Sequence, residues 1–182
     1  MLENKAIFWD RDGIINQIEV KDGKSLSPRK FKDFKVFPFV KEVLSMTKKL
    51  GYMNFIFTNQ PDISRSLMDQ KELNFMHDLL LKNYPIQKIY CCPHSNEDNC
   101  LCRKPMPGMI KSCFEEFLLD IDECLVVGDR ITDIISGNLA GIKKLYLLKK
   151  SYSLNCYRAK NLPKYNIISH IKEIPNILME SL

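Results

Sequence analysis

Phe8-Trp9-Asp10-Arg11-Asp12-Gly13 closes the first apolar run of the chain, residues 6–9. Ala-Ile-Phe-Trp is short, continuous and partly β-branched or aromatic, the pattern of a strand buried on both faces of a parallel sheet. Side chains at i and i+2 of a strand point the same way. Asp10 and Asp12 therefore fall side by side at the strand's C-terminal edge, where open α/β sheets bind ligands. Two adjacent carboxylates repel unless a cation lies between them, and a hard divalent ion such as Mg²⁺ fits oxygen ligands. Gly13 lets the chain turn away at once.

Outward from this stretch, strands alternate with helices. Residues 17–37 are polar and basic and read as a long loop. Val40, Val43, Leu44, Thr47 and Leu50 mark a helix that Pro38 opens and Gly51 ends. Residues 52–57 form a second apolar run, ending in Thr58-Asn59-Gln60. Leu73, Met76 and Leu80 mark a second helix, and residues 86–91 a third strand. Pro107 begins a helix with Ile110, Cys113, Phe114 and Phe117 on one face. Residues 124–127 read as a strand ending in Gly128-Asp129, 131–140 as a helix, 144–148 as a strand, 167–168 as a short strand and 174–182 as a helix. The fold expected is α/β, a three-layer, doubly wound, parallel, Rossmann-like sheet in one domain spanning residues 1–182. Right-handed crossovers bring Asp10, Asp12, Thr58, the segment after Cys92 and Asp129 to one rim.

Length and composition bound the function. The chain has 182 residues, 45% of them hydrophobic, and a net charge of +5. That charge suits an anionic small substrate as well as a nucleic acid. No apolar run reaches membrane-spanning length and the N-terminus has no signal-peptide pattern, so a cytoplasmic protein with no membrane partner is expected. Seven cysteines then read as thiols or metal ligands rather than disulfides.

Several polar groups share the rim. Asp129 offers a third carboxylate, and Asp133, one helical turn on, supports the site or caps the helix. Thr58 and Asn59 supply a hydroxyl and an amide, and Lys104, beside Arg103, a compact cation. A carboxylate nucleophile, Mg²⁺, a hydroxyl and a lysine together describe phosphoryl transfer. These residues resemble the haloacid dehalogenase superfamily of phosphatases, whose four signatures match Asp10-Arg11-Asp12-Gly13, Thr58, Lys104 and Gly128-Asp129 with Asp133. The resemblance implies that Asp10 attacks phosphorus and becomes an aspartyl-phosphate. It makes Asp12 the general acid and base, and Thr58 and Lys104 the supports of the phosphoryl group. Asp10, the backbone carbonyl of Asp12, and Asp129 would hold Mg²⁺, with Arg11 and Asn59 contacting substrate.

Cys92-Pro93-His94 and Cys100-Leu101-Cys102 place three sulfurs and one imidazole in a short polar loop, 91–103. Cys92, His94, Cys100 and Cys102 suit tetrahedral, structural Zn²⁺, since four protein ligands close the coordination sphere. Cys91, by strand alternation, is expected to point inward. This loop, running into Arg103-Lys104-Pro105, resembles the D-glycero-D-manno-heptose-1,7-bisphosphate 7-phosphatases. Histidinol-phosphate phosphatases carry a similar loop. The heptose resemblance implies removal of the 7-phosphate in nucleotide-heptose synthesis for lipopolysaccharide or other surface glycans. It makes Arg103, Arg130 and the loop at Lys21 substrate contacts. The sequence departs from the family pattern at residues 18–21, at Pro61-Asp62, where Ser-Gly is usual, and at Arg130, where lysine is common.

Forty-five residues separate Asp12 from Thr58, and another 45 separate Thr58 from Lys104. One helix, a loop and the next strand use each gap, so no cap domain is expected and residues 17–37 and 91–103 should wall the site. The expected partner is a small phosphorylated sugar, with no nucleic acid and the chain a monomer. Histidinol-phosphate phosphatase is the alternative, for which Glu19 could meet an imidazole. A polynucleotide 3′-phosphatase lacks support from any basic, aromatic groove. A catalytically silent binding module fits poorly with the intact Asp10, Asp12, Thr58, Lys104 and Asp129. His77 and His170 read as structural or exposed.

Overall fold

The structure is a computed structural model that describes residues 4–21, 24–150 and 162–180. Six parallel strands form one sheet: β1 (Lys5–Trp9), β4 (Tyr52–Asn59), β5 (Lys88–Cys92), β6 (Leu125–Gly128), β7 (Lys144–Leu148) and β8 (Asn166–Ile168). Their order is β5-β4-β1-β6-β7-β8. β1, the first strand made, lies near the middle, and the chain winds away from it on both sides. That is where the crevice of a doubly wound sheet opens.

Period-two alternation splits the core into two layers. Ile7 and Trp9 join Val40 and Leu44 of α1 (Val40–Lys49), Met76 and Leu80 of α2 (Gln70–Asn83), and Ile174 and Leu178 of α5 (Glu173–Met179). Ala6 and Phe8 face Ile110 and Cys113 of α3 (Gly108–Glu116) and Ile134 of α4 (Ile131–Leu139). Trp9 is fully buried, and its indole N–H donates to Asn54 Oδ1 at 2.9 Å. Thr47 of α1 donates to the same oxygen at 2.8 Å. This polar link fixes β1, α1 and β4 together, and each buried donor finds a partner as burial demands.

Most expected elements are present with ends displaced by a residue or two. Three differences matter. Residues 17–37 are not a plain loop: β2 (Glu19–Lys21) and β3 (Lys24–Leu26) pair antiparallel, and a 3₁₀ turn follows at Phe31–Asp33. The third strand runs to Cys92 rather than ending at Cys91. Cys92 therefore lies fully buried beside Tyr90 in the α3/α4 layer, while half-buried Cys91 turns to the face where Arg11 lies, not into that core. The last helix ends at Met179; residues 181–182 of the expected span lie outside the described residues, as does Cys156.

Candidate active site

Asp10 follows β1, Thr58 is the penultimate residue of β4, and Asp129 follows β6, so three adjacent parallel strands deliver them to one edge. Gly13, at φ +90°, occupies left-handed space that suits glycine and turns the chain off that edge. Lys104 arrives from the loop after β5 and lies buried among them. Its Nζ is 2.7 Å from Asp10 Oδ1, 2.7 Å from Asp133 Oδ1, and donates to the Phe57 carbonyl at 2.9 Å. A Cβ on Gly128 would lie 2.3 Å from Asp133 Oδ2, so only glycine lets this carboxylate reach the rim. Asp133 also caps α4, accepting from the Arg130 N–H at 2.9 Å. The support role and the capping role read for it are thus both filled.

Burial pushes Asp10 up to about 6, and Asp133 and Asp12 add to the rise against the pull of Lys104. Burial also acts upward on Asp12, but the Arg11 guanidinium and hydrogen bonds from Asn16 and Gln60 outweigh it and hold the carboxyl below its usual value. Arg11 Nη2 lies 3.0 Å from both Asp12 oxygens, Asn16 Nδ2 is 2.9 Å from one and Gln60 Nε2 is 2.7 Å from the other. The same Gln60 amide donates to Thr58 Oγ1 at 2.8 Å. For Lys104, burial alone would lower its proton affinity; Asp10 and Asp133 reverse that and raise it.

The oxygens of Asp10, Asp129 and Asp133 lie within 4.8 Å of one another, all three residues buried. A hard cation fits such a donor set. The Asp12 carboxylate does not join it, being turned to Arg11 and Gln60. Cys92, His94, Cys100 and Cys102 form the second cluster. Sulfur-to-sulfur distances are 3.2, 3.5 and 3.6 Å, and His94 Nδ1 lies 3.3 and 3.5 Å from two sulfurs. A tetrahedron with Zn–S near 2.3 Å has edges of about 3.8 Å, so the four donors fit a closed zinc site.

The expected substrate contacts divide. Arg130 lines the cleft, with Nη2 on Ser25 Oγ at 2.6 Å. Arg103 lines it too, its guanidinium held by Asn96 Oδ1 at 2.8 Å and the His94 carbonyl at 3.0 Å. Arg11 does not: it is fully buried, points to the α2 layer, and contacts His77 Nε2 at 3.2 Å. Asn59 lines the cleft, but its amide is spent on the backbone of Lys104, at 3.0 and 3.1 Å. Lys21 and Glu19 sit exposed on the hairpin's outer strand and do not line the cleft. Ser25, Arg29, Asp62 and Arg65, absent from the sequence-based set, do line it. The hairpin and the segment 95–103 form two of its walls, and the cleft holds about 760 Å³, within the range of small-molecule sites.

A parallel sheet with this aspartate pair, threonine, lysine and acidic cluster at its edge defines the haloacid dehalogenase-like hydrolases. Residues 101–174 match the HAD-hydrolase-like family model. The chain is 36% identical over 154 residues to the D-glycero-beta-D-manno-heptose-1,7-bisphosphate 7-phosphatase of Helicobacter pylori (strain J99), covering 81% of this chain and 85% of that one. It is 32% identical to the D-glycero-alpha-D-manno-heptose-1,7-bisphosphate 7-phosphatase of Campylobacter jejuni, covering 98% of each. The fold superposes with a TM-score of 0.82, at 24% identity, on a D,D-heptose 1,7-bisphosphate phosphatase from B. bronchiseptica solved with magnesium and phosphate, covering 98% of this chain and 99% of that one. The chain belongs to the D-glycero-D-manno-heptose-1,7-bisphosphate 7-phosphatase family, and is a phosphatase. Its relatives carry both alpha and beta names. Among the described residues no helix is long and apolar enough to cross a membrane.

Proposed function

We propose that this chain is a Mg²⁺-dependent hydrolase that removes the 7-phosphate of a D-glycero-D-manno-heptose 1,7-bisphosphate. The observation that carries the reading is Asp10 and Lys104 in contact, with Asp129 and Asp133, at the edge of three parallel strands. An Asp10 oxygen attacks phosphorus and the bond from phosphorus to the sugar oxygen breaks, leaving an aspartyl-phosphate. Asp12 takes up a proton as substrate enters, against the Arg11 guanidinium that favours its ionised form, and gives that proton to the departing oxygen, exchanging a Gln60 or Arg11 bond for that contact. Asp12 then takes a proton from the water that attacks the phosphoryl group, and inorganic phosphate leaves Asp10 free. Thr58 and Lys104 hold the phosphoryl oxygens. Asp10, Asp129 and the Asp12 carbonyl would bind Mg²⁺, with Asp133 within reach; the ion supplies charge against the phosphoryl oxygens.

Cys92, His94, Cys100 and Cys102 hold a structural Zn²⁺ that orders the wall carrying Arg103. The product keeps its anomeric phosphate, which a nucleotidyl transfer would consume. We therefore place the enzyme in nucleotide-heptose synthesis for lipopolysaccharide or other surface glycans, in the cytoplasm, as a monomer. Histidinol phosphate is disfavoured because Glu19, the acid expected to meet its imidazole, lines a neighbouring pocket rather than the cleft.

The test is a panel after EDTA dialysis and Mg²⁺ readdition: heptose 1,7-bisphosphate, histidinol phosphate and a 3′-phosphorylated oligonucleotide. The heptose should show the highest kcat/KM and no turnover without the metal. A higher value for either competitor overturns the substrate.

A further inference from the structure

Asp62 lines the cleft on the loop after β4 and gathers two arginines from different parts of the chain. Arg29, on the segment leaving β3, places Nε 2.6 Å from Asp62 Oδ2. Arg65, a turn downstream, places Nη1 3.9 Å from Asp62 Oδ1. The carboxylate is 16% exposed, each guanidinium side chain 46%. Half-exposed ion pairs of this kind contribute little to folding. Stability therefore does not account for a carboxylate placed between two arginines in a cleft.

The neighbouring cations have partners of their own, and Lys104 is assigned to the transferred phosphoryl group. Lys104 is neutralised between Asp10 and Asp133. Arg103 is tied to the zinc loop and Arg130 to Ser25. Arg29 uses only Nε on Asp62, so both its Nη groups have hydrogen-bonding capacity left. Arg65 stands too far from Asp62 for a hydrogen bond. The trio carries one net positive charge and presents unfilled guanidinium donors, which match phosphate oxygens in geometry.

We propose that Asp62 is a specificity-determining residue. It holds Arg29 and Arg65 as a preorganised fork that takes a second phosphate, the one on the leaving sugar rather than the one transferred to Asp10. The inference rests on the cleft being that of a phosphomonoesterase. Asp62 acts through the arginines as a positioning residue, and the arginines contact the substrate. Holding them in place before the substrate arrives lowers the ordering cost of binding.

The experiment compares heptose 1,7-bisphosphate with heptose 7-phosphate, which share the reacting phosphate and differ only in the second one. Wild type should favour the bisphosphate. In Arg29→Gln and in Arg65→Gln the ratio of the two kcat/KM values should fall about tenfold, the worth of one charge-assisted contact. Asp62→Ala should lower the same ratio and Asp62→Glu should restore part of it. Thermal midpoints near that of wild type would show that the variants are folded. An unchanged ratio in both arginine variants overturns the proposal, as does an equal loss on both substrates. Wild type inactive on both would instead sink the phosphatase reading itself.

Discussion

Lys104 Nζ lies 2.7 Å from Asp10 Oδ1, although 94 residues separate the two in sequence. The same nitrogen lies 2.7 Å from Asp133 Oδ1, so one buried cation bridges the end of β1 and the first turn of α4. Lys104→Ala leaves two buried carboxylates without their common partner, a change that costs on the order of 3 kcal/mol in comparable buried pairs. It also removes a charge aimed at the transferring phosphoryl group, so kcat should fall by at least about 10². Lys104→Arg should rescue little, since a planar fork does not fit the place of a compact ammonium. Steady-state kinetics with urea denaturation would check both parts; a stable, active Lys104→Ala protein contradicts this role.

His77 gives the fold an acid-side weakness. Burial holds it down to about 4, helped by the Arg11 guanidinium and opposed by Asp12, against 6.5 for the free side chain. Below pH 6.5 the unfolded chain takes up a proton that the folded chain refuses until about pH 4. The stability this neutral histidine preserves is complete above pH 6.5 and is lost as pH falls towards 4, by at most about 3 kcal/mol. His77→Gln keeps an acceptor for Arg11 and has no titration. Its unfolding free energy should therefore drop less than that of wild type between pH 7 and pH 5. Equal drops would remove His77 as the cause.

The cluster of Cys92, His94, Cys100 and Cys102 touches chemistry only through position. Cys100 Sγ accepts from the Arg103 N–H at 3.4 Å, and the next residue is Lys104. Cys100→Ala should lose the metal, about one zinc per chain by elemental analysis, and loosen residues 93–103. A lysine displaced by about 1 Å can cost on the order of 10² in rate. The Mg²⁺ requirement should persist, because Asp10 and Asp129 lie on other strands. A zinc-free variant with wild-type kinetics would remove the buttressing role.

The strands and the groups at their ends were legible because short, continuous apolar runs stop abruptly at polar residues on the rim. Asp10, Thr58 and Asp129 converge for that reason, and Lys104 joins them from the loop after β5. Arg11 is no substrate contact: the same alternation that pairs Asp10 with Asp12 sends it to the opposite face, where it neutralises Asp12 from behind. The run through Cys91 gave no sign of where pairing with β4 ends, so Cys92 was placed one residue outside the strand. The β2–β3 hairpin escaped because three-residue strands carry no period. Arg29 meets Asp62 and Arg65 only through tertiary structure, and nothing local in the sequence marks the three as a group.

The account turns on Asp10 as the nucleophile, and the kcat of Asp10→Asn on heptose 1,7-bisphosphate tests that most directly. The substitution removes the attacking oxygen and one metal charge while keeping the shape of the side chain. It should cost at least about 10³ in kcat, with the fold intact by circular dichroism. Turnover near that of wild type in a purified, folded Asp10→Asn protein would contradict the account.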